Sequence, residues 1–341
     1  MRIGVLTSGG DCPGLNAVIR SVVHHGVVDH GDEIVGFLDG WKGMIDGVYR
    51  PLGLDDVSGL LTRGGTILGS AREERDKVRA AVPEMAQKLL DWGIDAVIPI
   101  GGEGTLTAAR MFHEAGVPVV GVPKTIDNDI ASTDVTFGFD TAVGVAAEAL
   151  DRLTTTAESH QRIVIVEVMG RHTGWIALHS GMASGAHAIL LPERPFRMAE
   201  LCERIQARFD RGKKFALVVV AEGAAPVEGD MTFDTGATDI YGHQRFAGAA
   251  RQLAGELERR IGIEARAVIL GHVQRGGVPT AYDRVLATRF GWHAVEAVHA
   301  GRFGHMTALR GTDITLVPLA EAVTELKTVP ANRIGEAEAV L

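Results

Sequence analysis

The sequence predicts an α/β fold of two Rossmann-like, three-layer domains with mainly parallel sheets and the active site in the cleft between them. Short apolar strands alternate with helical stretches along most of the chain, as parallel sheets require. The residues after these strands are rich in glycine or charged side chains. The length of 341 residues exceeds what one hydrophobic core usually serves, which favours two domains.

Composition excludes several classes of protein. A hydrophobic content of 46% and a charged content of 23% are ordinary for a globular protein, and the net charge of −9 argues against a general nucleic-acid binder. The two cysteines, Cys12 and Cys202, are far apart and form no disulfide framework. The chain starts directly with a strand, and no apolar run approaches a membrane span. We therefore expect a cytoplasmic protein with no membrane or nucleic-acid partner.

The clearest unit is strand, helix and strand at 95–100, 106–115 and 117–122. This spacing predicts a right-handed βαβ crossover, so the two strands run parallel. The loops at 101–105 and 123–129 then lie at the carboxyl ends of neighbouring strands, where open parallel sheets bind ligands.

These two loops carry complementary chemistry. The first is glycine-rich and leads into a helix N-terminus, which suits an anion such as phosphate. The second holds Lys124, Asp127 and Asp129, so a cation, a metal ligand and a proton acceptor occur together. Each loop has a simpler reading, as a tight turn with a helix cap or as a set of side-chain-to-backbone turns. Their pairing at one sheet edge favours a functional site.

Two further glycine-rich loops occur nearer the N-terminus. Residues 8–14 join strand 3–7 to a helix, but they lack the GxGxxG fingerprint and the P-loop lysine. Residues 64–72 end at Arg72, which we interpret as a phosphate ligand, the alternative being a solvated arginine on the basic helix that follows. Trp41 offers an exposed aromatic ring that either stacks on a base or packs on its loop.

The alternation continues beyond residue 139 and predicts a second α/β domain. We expect helices at 141–158, 198–211 and 246–261, strands at 162–168, 188–191, 215–220 and 265–270, and a long helix within 279–300. Residues 224–245 change character and predict a surface excursion with a hairpin, and the tail from Leu316 is weakly patterned.

Charged side chains gather, in this interpretation, where strands end. Arginine binds phosphate in a fork geometry, and carboxylates suit Mg²⁺ and a base for a hydroxyl group. Phosphoryl transfer needs these parts together. The residues concerned are Arg72, Arg162, Arg171, Arg266, His272, Arg275, Glu103, Asp127, Asp129 and Glu222.

The chain resembles the 6-phosphofructokinase family. The matching stretches are GVLTSGGDCPGLNAVIR, GGTILGSAR, IGGEGTLTAA, PKTIDNDI, VEVMGRHTGW, ILGHVQRGG and YDRVLATRFG, in family order over residues 3 to about 290. The resemblance implies transfer of a phosphoryl group from ATP to the 1-hydroxyl of fructose 6-phosphate. It implies a donor-binding domain at 1–138 plus about 274–324 and a fructose 6-phosphate-binding domain at 139–273 plus about 325–341.

The resemblance also assigns roles around the transferred group. Asp127 is the implied general base, and Thr125 and Asp129 complete its loop. Arg171 and Arg72 are expected to stabilise the transferring phosphoryl group. Glu103 stands at the Mg²⁺-associated position, where the sequence departs from the many members that have Asp. We expect the extra methylene to be tolerated, because Mg²⁺ keeps several waters. The implied donor set is Gly9, Arg72, Gly102, Glu103, Gly104, Thr105 and Trp41.

The sugar phosphate has its own implied set. Met169, Gly170 and Glu222 hold the sugar, while Arg162, Arg266, His272 and Arg275 clamp its 6-phosphate. In the family, the counterparts of Arg162 and Arg266 come from a neighbouring subunit, which implies a homo-oligomer, dimer or tetramer, with a shared site. The full implied set is Thr125, Asp127, Arg162, Met169, Gly170, Arg171, Glu222, Arg266, His272, Gln274 and Arg275.

Two positions bear on the donor, and they point in different directions. Gly104 leaves room for the α-phosphate and ribose of ATP, whereas pyrophosphate users tend to carry Asp there. Lys124 is the usual pyrophosphate-type residue. An Asp at 104 would oppose the α-phosphate of a nucleotide by bulk and charge, while a flexible lysine at 124 can bend away or contact phosphate oxygens. The steric argument at position 104 therefore predicts ATP.

The main alternative is the pyrophosphate-dependent enzyme. An NAD or lipid kinase lacks the TIDND and MGR stretches, a nicotinamide oxidoreductase lacks its fingerprint, and a non-catalytic subunit would be expected to have lost Asp127 or Arg171. Effector-associated positions carry His24, Thr154 and His187, so we expect the ADP-type activator site to be absent or altered.

Overall fold

The computed structural model describes residues 1–71, 75–231, 235–238, 244–246 and 248–341. Arg72, which the sequence analysis assigns to the donor, lies outside these ranges. The chain forms two compact units. The first contains Met1–Thr141 and Arg275–Lys327, and the second contains Ala142–Gln274 and Thr328–Leu341.

Within the described ranges, strands and helices alternate along most of the chain. The strands are β1 (Arg2–Ser8), β2 (Glu33–Phe37), β3 (Tyr49–Leu52), β4 (Ala96–Gly101), β5 (Val120–Pro123), β6 (Ile163–Val168), β7 (Ala188–Leu190), β8 (Ala216–Ala221), β9 (Thr235–Thr238), β10 (Gln244–Phe246), β11 (Ala265–Ile269), β12 (His305–Arg310) and β13 (Asp313–Pro318). The α-helices are α1 (Leu15–His30), α2 (Trp41–Asp46), α3 (Arg75–Asp91), α4 (Glu103–Glu114), α5 (Phe139–His160), α6 (Trp175–Ala183), α7 (Met198–Asp210), α8 (Ala249–Ile261), α9 (Ala281–His299), α10 (Leu319–Ala322) and α11 (Ala331–Val340). A 3₁₀ helix spans Gly271–Arg275.

The first unit is organised by a seven-stranded sheet in the order β13-β12-β5-β4-β1-β2-β3. Neighbouring strands from β12 to β2 run parallel, whereas the outer strands β3 and β13 are antiparallel to their neighbours. The prediction of a mainly parallel sheet is therefore confirmed. Because these strands are parallel, the loops after β1, β4 and β5 leave the same edge of the sheet.

Both faces of this sheet are covered, which explains the near-continuous apolar runs of β1 and β4. Leu6 and Val97 share one core cluster with Phe112 of α4 and Met85 of α3. The next residues along each strand, such as Ile98, are equally buried and point the other way. On that face α9 packs on β5 and β12, and α1 packs on α9.

The second unit contains a parallel four-stranded sheet in the order β11-β6-β8-β7. One face packs on α7 and α8, with Ile165, Val218 and Leu253 in a common core cluster. On the other face, a Cβ added to Gly181 of α6 would lie 3.6 Å from Val219. The sheet is thus a middle layer between helices, as the sequence predicts. β9 and β10 form an antiparallel pair, in agreement with the predicted hairpin.

Among the helices that the structure describes, none has the length and apolar character needed to cross a bilayer.

Candidate functional site

The loops after β1, β4 and β5 start side by side in the first unit. Ser8 pairs with Gly101 across the β1–β4 ladder, and Gly101 pairs with Pro123 across the β4–β5 ladder. The backbone N–H of Lys124 donates to the Gly101 carbonyl at 2.9 Å. The glycine-rich loop at 101–105 and the carboxylate loop at 123–129 therefore meet at one sheet edge, as the sequence predicts.

The glycine-rich loop after β4 leads straight into α4. Gly102 is the N-cap, and the helix begins at Glu103, three residues earlier than the sequence predicts. Glu103, Gly104 and Thr105 consequently form the first turn, where backbone N–H groups have no partner within the helix. A Cβ on Gly104 would meet nothing within 4 Å, so the space beside this turn is open. The arrangement suits a phosphate and leaves room for a larger group attached to it.

Lys124 connects this turn to the loop after β1. Its side chain is buried, at 4% exposure, and its Nζ donates to the Gly10 carbonyl. A Cβ on Gly9 would lie 3.7 Å from that Nζ and 3.8 Å from the Thr105 hydroxyl, so three loops converge on the ammonium group. Burial lowers the pKa of Lys124. The side chain is therefore hydrogen-bonded to the protein backbone among loops that carry residues of the implied donor set.

The carboxylate loop has a defined conformation. The Asp127 N–H donates to the Thr125 hydroxyl at 3.0 Å, and Asn128 adopts a left-handed conformation with φ of 50°. The Asn128 side-chain oxygen accepts from the Thr136 N–H at 3.1 Å. These contacts fix the backbone on both sides of Asp127, whose carboxylate is half-buried. Such a group can accept a proton from a hydroxyl placed beside it.

Asp129, two residues further on, is a second carboxylate with different electrostatics. Burial, and then the negative charge of Asp127, raises the pKa of Asp129 to about 6. Two neighbouring carboxylates repel each other unless they share a cation or a proton.

Lys327 is a functional candidate that the sequence analysis did not identify. Its Nζ donates to the Asn128 side-chain oxygen at 2.9 Å, to the Thr133 carbonyl at 2.8 Å and to the Asp134 carbonyl at 2.9 Å. Its backbone N–H donates to the Asp129 carbonyl. Burial lowers the pKa of Lys327 to about 8. This lysine belongs to the weakly patterned tail, about 200 residues from the loop, so no local pattern could have revealed the contact.

A third loop packs against the first. The Ser70 hydroxyl donates to the Gly9 carbonyl at 2.5 Å, and the Thr7 hydroxyl donates to the Gly69 carbonyl at 2.8 Å. These contacts anchor residues 64–71, directly before Arg72, beside the end of β1. Arg275 also lies here, because its Nη1 donates to the Asp11 carbonyl at 3.2 Å.

Two side chains near these loops have structural roles. The prediction that Trp41 is exposed is wrong: its indole is 3% exposed and lies against Phe112, with ring centroids 4.9 Å apart. An indole packed in the core cannot stack on a nucleotide base. Cys12 is fully buried, and burial raises the pKa of its thiol to about 12, so it is not a nucleophile.

In the second unit, the loops after β6 and β8 pack against each other. The Gly223 N–H donates to the Gly170 carbonyl at 3.1 Å, and Gly170 has a φ of 135° that favours glycine. A Cβ on Gly223 would overlap the Arg171 carbonyl. The sequence-predicted residues Met169 and Glu222 flank these contacts, so the sugar set lies at one sheet edge.

The loop after β11 joins the same edge. The Gln274 side-chain oxygen accepts from the Met169 N–H at 3.2 Å, and the Gln274 amide donates to the Gly271 carbonyl at 3.0 Å. Gln274 is fully buried and positions this backbone. His272 lies in the same 3₁₀ helix.

Arg162 and Arg266 lie elsewhere, and the prediction that they follow strands is wrong. Arg162 directly precedes β6, and Arg266 is the second residue of β11. Both guanidinium groups pair with Glu264, Arg162 at 3.4 Å. The six residues of β6 lie between Arg162 and Met169, which places these two residues about 20 Å apart at opposite ends of the strand.

The carboxylates of the first unit are ligands of the type that suits Mg²⁺. Glu103, Asp127 and Asp129 supply carboxylate oxygens, the ligands this ion prefers. One Glu103 oxygen accepts from the Thr107 hydroxyl at 2.9 Å, which orients the carboxylate at the start of α4. Asp129, with its raised pKa, is a carboxylate whose charge a cation would offset.

Comparison with known proteins agrees with this geometry. The phosphofructokinase family model matches residues 2–298. The ATP-dependent 6-phosphofructokinase 2 of Streptomyces coelicolor is 71% identical over 340 residues, covering all of both chains. The pyrophosphate–fructose 6-phosphate 1-phosphotransferase of Amycolatopsis methanolica is 60% identical over 99% of both. The crystal structure of Pichia pastoris phosphofructokinase in the T-state superposes with a TM-score of 0.84 at 32% identity, over 99% of this chain and 36% of that longer chain. The chain belongs to the phosphofructokinase family.

Proposed function

We propose that this protein transfers the terminal phosphoryl group of ATP to the 1-hydroxyl of fructose 6-phosphate, giving fructose 1,6-bisphosphate and ADP in glycolysis. The observation that carries the proposal is the convergence of the loops after β1, β4 and β5. They bring together an open helix N-terminus, a buried lysine and the half-buried Asp127 carboxylate. Asp127 accepts the proton of the hydroxyl group, while the phosphate oxygens accept hydrogen bonds from backbone N–H groups.

The choice of ATP rests on the space beside Gly104. A nucleotide needs room for an α-phosphate and a ribose, and a Cβ at this position would touch nothing within 4 Å. Lys124 favours the alternative, a pyrophosphate-dependent enzyme, but its ammonium group is bound to the Gly10 carbonyl. Relatives named as ATP-dependent are 71% and 70% identical, and one named for pyrophosphate is 60% identical.

Mg²⁺ is the proposed cofactor, held by Glu103 with help from Asp129. When bound, the ion neutralises charge on the phosphate oxygens. The hydroxyl of Thr107 orients the Glu103 carboxylate, which lies in the first turn of α4. The helix N-terminus can therefore bind the phosphates of the donor while Glu103 binds their Mg²⁺ ion.

The second unit is proposed to bind the sugar phosphate. Met169, Gly170 and Glu222 hold the sugar, and Arg171 stabilises the charge on the transferring phosphoryl group. The tight packing of Gly223 on the Arg171 backbone fixes this arginine relative to Glu222. Gln274 holds the Met169 backbone in place.

We propose that the working enzyme is a homo-oligomer, a dimer or tetramer, in which a second copy completes the 6-phosphate clamp. His272 and Arg275 belong to the clamp in one chain. Arg162 lies about 20 Å from Met169 within a chain, too far to reach a sugar held there. Arg162 and Arg266 therefore serve the site of a neighbouring copy. We place the enzyme in the cytoplasm, where its two free thiols stay reduced.

The donor assignment is tested by measuring fructose 1,6-bisphosphate formation with either donor in the presence of Mg²⁺. Turnover with ATP and none with pyrophosphate is expected. Turnover with pyrophosphate alone would reassign the chain to the alternative activity, and turnover with neither would refute both.

The shared site is tested by mixing two inactive variants, Asp127→Asn and Arg162→Ala, as hybrid oligomers. If the site is shared, the Asp127 of one copy meets the Arg162 of the other, and part of the activity returns. Hybrids that remain as inactive as either parent variant would show that each chain builds its own site. Asp313→Asn, which changes an exposed carboxylate, is the matched control and should remain active.

A further inference from the structure

A cluster of imidazole and carboxylate groups joins α1 to α9 in the first unit, on residues to which no role is assigned above. His25 and His30 lie near the C-terminal end of α1, and Glu296 lies in α9. Their side chains are 9%, 25% and 41% exposed, so the cluster opens to solvent from a largely buried base. We call these three residues the histidine cluster.

Two imidazole nitrogens of the cluster lie against one carboxylate oxygen. The His25 Nε2 lies 2.7 Å from the Glu296 Oε1, and the His30 Nε2 lies 2.9 Å from the same oxygen. All three atoms lie within 4.8 Å of one another. In a tetrahedral Zn²⁺ site with bonds of about 2.0–2.2 Å, neighbouring ligand atoms are about 3.3 Å apart. The Glu296 oxygen would have to move about 0.5 Å away from each imidazole nitrogen, and the two imidazole nitrogens would have to approach each other. His30 and Glu296 are partly exposed and can make these shifts.

The second ring nitrogen of His25 gives a further geometric reason to expect an ion. Its Nδ1 lies 2.6 Å from the Asp29 Oδ2, so both ring nitrogens face carboxylate oxygens. With an ion at Nε2, His25 donates from Nδ1 to Asp29, which is the carboxylate–histidine–metal arrangement seen around metal ions in proteins.

The surroundings leave the cluster available as a ligand set. His30 stacks on His299, with ring centroids 3.8 Å apart. His299 bonds Asp32 at 2.7 Å, and Asp32 also binds the N-terminal ammonium group, so these neighbours are engaged elsewhere.

We propose that His25, His30 and Glu296 bind a divalent transition-metal ion of the Zn²⁺ type, with Asp29 orienting His25 and water completing the coordination. Two imidazoles and one carboxylate favour Zn²⁺ or Co²⁺ over Mg²⁺, which prefers oxygen ligands. The site is therefore chemically distinct from the Mg²⁺ ligands proposed at Glu103. A bound ion ties the end of α1 to α9 and stabilises the first unit.

The test uses chelator-treated, tag-free full-length protein titrated with Zn²⁺, with Co²⁺ as an absorbing probe and Mg²⁺ as the competitor. We expect one saturating Zn²⁺ per chain at this site, a melting temperature that rises with Zn²⁺, and no displacement by Mg²⁺. His30→Ala and Glu296→Gln should each weaken binding at least tenfold, and Asp29→Asn should weaken it about 10–100-fold. Glu296→Gln keeps the side-chain volume and guards against misfolding.

His24→Ala is the matched control, because His24 is an exposed histidine beside His25 on the same helix. It should bind Zn²⁺ as the parent does. Absence of saturable binding would overturn the proposal. So would equal affinity in His24→Ala, His30→Ala and Glu296→Gln, which would reveal ordinary surface binding to scattered histidines. The readout is binding, so the result stands whether or not the protein phosphorylates sugars.

Discussion

Replacing Lys327 with Met should impair catalysis more than it impairs folding. The methionine keeps an unbranched side chain, one heavy atom shorter, and removes an ammonium group. That group donates to the Asn128 side chain, the Thr133 carbonyl and the Asp134 carbonyl. Asn128 is next to Asp127 in the carboxylate loop, and Thr133 and Asp134 belong to the segment that follows this loop. The perturbation therefore acts on the general base without touching it.

The magnitude follows from what the three acceptors lose. A buried acceptor without a partner costs about 1–3 kcal/mol, and a hydrogen bond from a charged donor contributes about 1.5–3 kcal/mol. Asp134 is exposed, so its carbonyl can turn to water, while Thr133 and Asn128 are buried. We expect the native loop conformation to lose about 3 kcal/mol, which corresponds to at most roughly a hundredfold in kcat. Global stability should fall by less, because the variant no longer buries an ammonium group.

The assay compares kcat, the KM for fructose 6-phosphate and the melting temperature of Lys327→Met with those of the parent. We expect kcat to fall at least tenfold with a small change in melting temperature. Lys42→Met is the control: that lysine is exposed and pairs with Asp46 at 3.1 Å, so both quantities should stay near parent values. A parent-like kcat in Lys327→Met would refute the positioning role. A large drop in melting temperature with a normal kcat per folded molecule would assign the lysine to stability alone.

Other substitutions probe the donor site, the sugar loop and the effector region. Gly104→Asp places a carboxylate near the α-phosphate of ATP. Two like charges about 5 Å apart repel each other by about 3 kcal/mol at an effective dielectric constant of 20, so kcat/KM for ATP should fall about a hundredfold. Unchanged ATP kinetics would contradict the argument that Gly104 leaves room for the nucleotide. Gly223→Ala places a Cβ where the Arg171 carbonyl lies. The KM for fructose 6-phosphate should rise, and the free energy of unfolding in denaturant titrations should fall by about 1–3 kcal/mol. Parent-like values of both would contradict the close packing of Gly223 on the Arg171 backbone. Burial lowers the pKa of His187 to about 4, below its unfolded value of 6.5, so its contribution to stability is present above pH 6.5 and is lost as pH falls towards 4. In His187→Asn, the asparagine still accepts a hydrogen bond from the Leu217 N–H but does not titrate. The free energy of unfolding should therefore depend less on pH between 6.5 and 4 than it does in the parent. An unchanged pH dependence would show that His187 does not contribute to acid unfolding. Because His187 is neutral at pH 7, it offers no positive charge to the phosphate of an effector. ADP should therefore not increase the apparent affinity for fructose 6-phosphate. Strong activation by ADP would contradict the expectation that the ADP-type activator site is absent or altered.

The sequence predicts much of the fold because the interior strands are buried on both faces. β1, β4, β6 and β8 are continuous apolar runs, and each is followed by a glycine-rich or charged loop. The outer hairpin of β12 and β13 was missed. Its signal was a turn at Arg310–Asp313 between alternating residues, with Gly311 at a φ of 58°, a pattern weaker than a buried run.

The positions of candidate site residues were predictable where these residues follow strands directly. The approach of Lys124 to Gly10 and the three contacts of Lys327 join residues more than 100 positions apart, and local sequence patterns carry no such information. Trp41 was misjudged because a tryptophan after a glycine looks exposed in sequence but here begins a helix that turns its ring into the core. Arg162 was grouped with strand ends by its residue type, although it precedes its strand.

The most direct test of the central claim is product formation by Asp127→Asn at saturating ATP, Mg²⁺ and fructose 6-phosphate, with sugar binding measured separately. If Asp127 takes the proton of the 1-hydroxyl, kcat should fall by about 10²–10⁴ while fructose 6-phosphate still binds and the melting temperature is preserved. A variant that folds, binds the sugar and turns over like the parent would contradict the account.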